Sequence, residues 1–187
     1  MARVPYLQKS DLAAEQQDLL ARNITLFQAL VNSPNAARAF SALGQFIRFK
    51  SRLDPRLREL AILQVGYLTR QPYEWSHHIK LGREFGVSDG DIRALIADSD
   101  GKANDLEPLA KLVLLGAREM TRDLAISDAT FKALHAHLGE EHLLDLTITI
   151  AFYNAAVRVL NTLKIDVEDA YQGYLAEFPL PNAPGGA

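Results

Sequence analysis

The 187 residues carry 48% hydrophobic and 23% charged side chains, enough apolar content for one full globular core and too much for a disordered chain. A net charge of −3 gives no electrostatic footing for nucleic acid or an anionic membrane. There is no cysteine, which removes disulfides, thiol nucleophiles, Cys-x-x-Cys redox chemistry and thiolate metal sites together.

Residues 1–10 lack a charged stretch followed by an apolar run, so no secretory signal is expected and the location expected is cytoplasmic. The same residues read as a loose end. Ser10 and Asp11 precede an amphipathic stretch from Leu12 to Arg22. Pro34-Asn35 opens a helix running to about Lys50. Asp54 and Pro55 supply an N-cap and a first-turn proline for a third helix through Leu60, Leu63, Tyr67 and Leu68. Pro72 sits in the first turn of a fourth, which ends at Gly86. Ser88 and Asp91 read as a capping box that opens a short helix to about Asp98. A polar loop over 100–105 precedes a helix from Leu106 to Arg122. Ser127 caps a helix from Asp128 to Leu138 that Gly139 terminates, and a long helix follows from Glu140 to Lys164. Thr147-Ile148-Thr149-Ile150 alternates with period two, but it lies inside a longer 3.6-residue pattern and reads as helix. The run Leu143 to Val157 is interrupted by Asp145 and Asn154 and is too short and too polar to span a bilayer. The tail from Pro179, with Pro181, Pro184, Gly185 and Gly186, reads as a second loose end. The expected architecture is all-α, a single domain over residues 1–187.

Chemistry concentrates between Arg58 and His78. Glu74 shares a helix face with His77 and His78, three and four residues on. His78 lies nearly two turns into the second of two helices joined by a short turn, so it can run back toward Glu59. Trp75 and Ile79 turn toward the core. A carboxylate that orients a histidine and raises its pKa suits general acid–base work near neutral pH. Glu74-x-x-His77 also matches half of a di-iron carboxylate site, but no second Glu-x-x-His exists, and no metal is expected. A purely structural Glu–His pair between helices fits the pattern as well. His135, His137 and His142 read as surface or loop residues. Arg52, Arg56, Arg58, Arg70 and Arg83 surround the candidate site in sequence, and the spacing selects none of them to clamp a carboxylate. Tyr67, Phe152 and Tyr153 read as core or subunit-interface residues. Leu112 to Leu115 and Leu143 to Val157 are apolar enough to pack against another subunit.

Arg56-Leu57-Arg58-Glu59-Leu60-Ala61-Ile62-Leu63-Gln64-Val65, followed by Tyr73-Glu74-Trp75-Ser76-His77-His78-Ile79-Lys80-Leu81-Gly82, resembles the carboxymuconolactone decarboxylase-like family of the alkylhydroperoxidase D-like superfamily. The likeness extends upstream through Asn23 to Phe27 and Ser51 to Pro55, and downstream through Ile150 to Asn154 and Arg158 to Asn161. The resemblance implies a bundle of about eight helices and a homo-oligomer, trimeric or hexameric. In the family's peroxidases a Glu is followed by Cys-x-x-Cys and then by His. Aligned on that pattern, Glu59 and His78 take the places of the Glu and the His. Gln71 and Glu74 stand where the cysteines would be, so peroxidase chemistry is not expected. The decarboxylase-type members imply instead a lyase or isomerase-type proton transfer on a small carbonyl or lactone substrate, with no cofactor. Glu59, His78 and Glu74 would be catalytic, and Tyr73, Trp75, His77 and Gln71 would contact substrate. The alternatives are a non-catalytic helical oligomer or small-molecule binder, and a metal-dependent oxidase using Glu59, Glu74, His77 and His78.

Overall fold

Eight α-helices and two short 3-10 segments make up residues 1–181, the part of the chain that this computed structural model describes, and no strand occurs among them. The helices are α1 (Thr25–Leu30), α2 (Pro34–Phe49), α3 (Pro55–Leu68), α4 (Pro72–Glu84), α5 (Asp89–Ser99), α6 (Pro108–Arg122), α7 (Asp128–Leu163) and α8 (Asp169–Glu177).

The sequence's punctuation sets most of the boundaries. Asp54 accepts a hydrogen bond from the Leu57 amide at 2.9 Å, and Pro55 occupies the first turn of α3. Gln71 caps α4 through the Tyr73 amide at 2.6 Å. Ser88 and Asp91 form the reciprocal capping box of α5. Gly139 adopts φ +69°, ψ −176° and breaks α7, so the two helices expected on either side of it run end to end with a kink.

Every residue of α3 from Leu57 to Tyr67 is buried. A helix buried on all sides belongs at the centre, and α3 packs against α4, α5, α6 and α7. The part of α7 after the kink supplies the facing wall with Leu143, Leu146, Ile150, Tyr153 and Val157. By length and composition α7 is apolar enough to cross a membrane, but it is kinked and Leu143, Leu146, Ile150, Tyr153 and Val157 bury one side of it in the core. Gly66 permits the close crossing of α3 and α4: a Cβ there would stand 3.3 Å from the Trp75 backbone nitrogen.

Four expectations need correction. The stretch Leu12 to Arg22 is not one amphipathic α-helix but two 3-10 segments, Lys9–Asp11 and Ala14–Leu20. A helix this short is marginal by itself, and the packing of Leu19 and Leu20 against Phe27 and Ala37 decides its geometry. Helices α1 and α8 were not anticipated, because six and nine residues without a side-chain cap leave little periodic signal. Residues 1–10 are not loose. The Arg3 amide donates to the Leu163 carbonyl at 2.8 Å, the Leu7 amide to Gln28 at 3.1 Å, and the Tyr6 hydroxyl to Asp166 at 3.0 Å. The C-terminal segment is likewise anchored at its start: Phe178 is buried, and Leu180 packs on the core. Pro184, Gly185 and Gly186 lie outside the described residues.

Candidate active site

The N-terminal half of α3 carries Arg58 and Glu59, and α4 carries Tyr73, Glu74, His77 and His78. Because Gly66 meets Trp75 at the crossing, α4 runs back along α3 and delivers His78 to Glu59. Glu59 Oε2 lies 2.7 Å from His78 Nδ1. On the other side of the ring, Glu74 Oε1 lies 2.9 Å from His78 Nε2, one helical turn away on α4. Glu59, Glu74 and His78 are 1%, 4% and 3% exposed, so water does not screen this cluster.

Charge is compensated within it. Arg58, also buried, donates to Glu59 Oε1 from Nε at 3.2 Å and from Nη2 at 3.0 Å, and stacks over Phe85 at 4.4 Å. Burial alone would raise the Glu59 pKa, but the charges and hydrogen bonds of His78 and Arg58 hold it below its ordinary value. Burial likewise opposes the His78 cation, and the carboxylates of Glu59 and Glu74 on opposite edges of the ring outweigh it and raise the pKa. Both ring nitrogens therefore face acceptors, which an imidazolium satisfies with two donors. A proton that the ring gives up can pass to a carboxylate on either edge. The cluster thus holds one proton with more than one seat.

A second Glu–His pair lies beside the first. His77 Nε2 sits 2.8 Å from Glu168 Oε2, in the segment before α8. The ring is sandwiched between Tyr73 and Tyr171, with centroids 4.0 and 3.6 Å away. Burial pushes the His77 pKa down, against the pull of Glu168. Glu168 also accepts from the Thr25 amide at 2.8 Å and the Thr25 hydroxyl at 2.9 Å. Burial opposes its charge, but His77 and Thr25 bring its pKa down to about 2. Burial and Glu168 together push the Tyr73 hydroxyl well above its usual range.

The histidines of both pairs border one cavity of about 60 Å³. At about 10–15 Å³ per water it has room for a few waters or a compact ligand. Tyr73, Glu74, His77 and His78 line it from α4, Phe152 and Tyr153 from α7, Phe40, Gly44 and Arg48 from α2, and Arg22 from the segment before α1. The structure thus brings together Glu59, Glu74 and His78, with Tyr73 and His77 on the same wall. Glu59 itself stands behind His78 and does not line the cavity.

Two expected substrate contacts lie elsewhere. Gln71 is the cap of α4 and donates to Asn161 at 2.9 Å, so both ends of its amide are engaged in the scaffold. Trp75 is fully buried in the core and donates its indole N–H to the Phe178 carbonyl at 2.7 Å. Phe152 and Tyr153, expected only as packing residues, reach the cavity, and the Tyr153 ring meets His78 edge-on at 4.9 Å. None of the five arginines singled out by sequence proximity lines it. Arg56 pairs with Asp91 and Glu107, Arg58 with Glu59, and Arg83 with Asp89 and Glu177. Arg22 and Arg48 take that position and went unnoticed. The signal for Arg48 was available: Phe40, Gly44 and Arg48 recur every four residues along one face of α2. Among the described residues no three His, Asp or Glu side chains are arranged to hold a metal ion.

The model of the carboxymuconolactone decarboxylase family matches residues 34–100, which spans α2 to α5 and contains Glu59, Glu74 and His78. No curated protein matches the sequence. Among solved structures, an uncharacterized peroxidase-related protein with an alkylhydroperoxidase AhpD core, from Ralstonia eutropha JMP134, is 21% identical. It superposes with a TM-score of 0.74 over 93% of this chain and 95% of its own. The debrominase Bmp8, crystallised as a cysteine-to-alanine variant with 2,3,4-tribromopyrrole, is 18% identical with a TM-score of 0.78, over 95% of this chain and 97% of its own. A protein from Agrobacterium tumefaciens described as a putative antioxidant defence protein AhpD is 20% identical with a TM-score of 0.65, over 73% of this chain and 93% of its own. These likenesses establish the fold. The family segment lies across the carboxylate–histidine cluster, and this chain, which has no cysteine, shares the alkylhydroperoxidase D-like fold of these structures.

Proposed function

We propose that this protein is a cofactor-independent enzyme of the lyase or isomerase type, moving a proton on a small carbonyl or lactone substrate. The observation that carries this reading is His78 held between two buried carboxylates, with Glu74 and His78 on the wall of a cavity. Glu59, anchored by Arg58, orients the ring and stabilises its cationic form. Glu74 is the carboxyl that both faces the cavity and touches His78 Nε2, so it is the group that exchanges a proton with substrate, and His78 resupplies it. In a decarboxylation, the electrons of the breaking C–C bond pass into the conjugated carbonyl as carbon dioxide leaves, and the stored proton goes to carbon. In an isomerisation, the same carboxylate takes a proton from one carbon and returns it to another. Neither step consumes an oxidant, which suits a chain with no thiol.

The test is turnover of a panel of small lactones and β-keto acids in deuterium oxide, followed by NMR. His78→Gln should lower the rate by about 100-fold or more, the usual contribution of a positioned acid–base group, with circular dichroism and oligomeric state unchanged. Unaltered turnover in that variant would remove His78 from its role. The competing reading, a helical oligomer that binds a small molecule without reacting, draws support from the small size of the cavity. It expects binding without deuterium incorporation. We also propose self-association, supported by the exposed apolar Phe131 and Leu144 on α7, which border a surface groove with Leu143.

A further inference from the structure

Two arginines share the cavity with the acid–base cluster, and neither has an anionic partner. Arg22 and Arg48 are each half-buried and line the same space as Glu74 and His78. Arg38, Arg56, Arg58, Arg83 and Arg118 are each held by an Asp or Glu within ion-pair distance; Arg22 and Arg48 have no such partner among the described residues. Each lies over an aromatic ring, Arg22 over Phe27 at 5.7 Å and Arg48 over Phe49 at 5.6 Å, and Arg48 also acts on the neutral Tyr153 hydroxyl. The Arg48 Nε is buried with no hydrogen-bond partner, an arrangement that costs free energy unless something else accepts from it.

The rest of the cavity's charge does not balance them. Arg58 and His78 neutralise Glu59 and Glu74, and Glu168 is engaged by His77 and Thr25. The two guanidinium groups also feel each other. Burial lowers the Arg22 pKa, and the positive charge of Arg48 adds to that effect. Two like charges converging on one enclosed space are unfavourable in the free protein, and an anion between them reverses the sign of that interaction. A guanidinium presents a planar fork of N–H donors that matches a carboxylate.

We infer that Arg22 and Arg48 form an oxyanion subsite that takes the carboxylate of a compact organic acid and turns the remainder of the molecule toward Glu74 and His78. This names the substrate class for the activity proposed above and rests on that reading only for what happens after binding. It also gives Glu74 a consistent place: a carboxyl that would repel an acid at close range stands on the histidine side of the cavity, and the cations hold the charged end elsewhere.

The experiment is calorimetric titration of the intact protein with unbranched and β-keto acids of two to six carbons, with their methyl esters, and with inorganic phosphate. Saturable binding of at least one acid is expected, with its ester and phosphate at least ten-fold weaker. Arg48→Gln and Arg22→Gln should each weaken the acid ten-fold or more, while Arg48→Lys retains part of the affinity and Arg52→Gln, at an exposed arginine outside the cavity, retains it all. The free Arg48→Gln protein should melt no lower than the wild type, because its removal relieves repulsion. The assignment fails if no acid binds, if ester or phosphate binds as well as the acid, or if the glutamine variants bind normally. Acid binding without turnover of any panel member would sink the proposed activity and leave the subsite standing. Turnover of neutral lactones without acid binding would do the reverse.

Discussion

His78 is the residue whose surroundings are most constrained. Its pKa is raised, so its contribution to stability is fully present below pH 6.5 and is lost as pH rises through the elevated folded value. The Glu59 pKa is lowered, so its contribution is present above pH 4.5 and is lost as pH falls through the depressed value. Between these limits the cluster stabilises the fold most. Glu59→Gln removes the negative charge that balances a buried guanidinium and leaves Arg58 uncompensated, which typically costs about 3–5 kcal/mol; urea denaturation at pH 7 measures it. The same substitution takes away a charge that holds the His78 proton. The basic limb of the pH–rate profile should therefore move to lower pH in Glu59→Gln. A limb that stays in place would show that the titrating group is not His78.

At the scale of helices, two glycines separate conformational cost from steric cost. Gly139 holds φ +69°, and nothing lies within 4 Å of where a Cβ would point. Gly139→Ala therefore meets only the penalty of a φ/ψ combination that essentially glycine alone adopts, about 1–3 kcal/mol, which lowers Tm by roughly 2–4 °C per kcal/mol in a chain of this size. Gly66 has the opposite character. It is helical, but a Cβ would press on the Trp75 backbone at 3.3 Å, and a backbone cannot rotate aside as a side chain can. Gly66→Ala should push α3 and α4 apart, lengthen the Glu59–His78 contact, and reduce turnover as well as stability. A Gly66→Ala protein with wild-type kinetics would mean that the crossing does not set the geometry of the pair.

For the molecule as a whole, Glu168 is the tie between distant parts of the chain. It receives hydrogen bonds from Thr25 at the start of α1, faces His77 of α4, and leads into α8, whose Tyr171 stacks on that histidine. Its pKa, lowered to about 2, means that its stabilisation is full above pH 4.5 and disappears as pH falls toward 2. His77, whose pKa burial depresses, works in the same direction, since acid must protonate it. Glu168→Gln should melt below the wild type at pH 7, and the difference should vanish near pH 2. Thermal melts across that range check it; a difference that persists at pH 2 would assign the loss to packing rather than charge.

The helical plan was legible because it is written in local chemistry. Asp54-Pro55, Pro72, the Ser88–Asp91 box, Ser127 and Gly139 act on backbone groups within a few residues of themselves, so their effect does not depend on the rest of the fold. The Glu59–His78 contact was legible for a related reason: a short turn between two helices leaves little freedom in how they return on each other. Sequence alone did not distinguish Trp75, whose partner is Phe178, from a pocket residue, or Gln71 from a ligand contact. Nor did it find α8 and Glu168 closing over His77, or Arg22 and Arg48 converging on the cavity. These depend on which elements pack together across long stretches of chain, 91 residues in the case of His77 and Glu168. Burial and charge pairing, not local propensity, decide that packing, and they exist only once the whole core has formed.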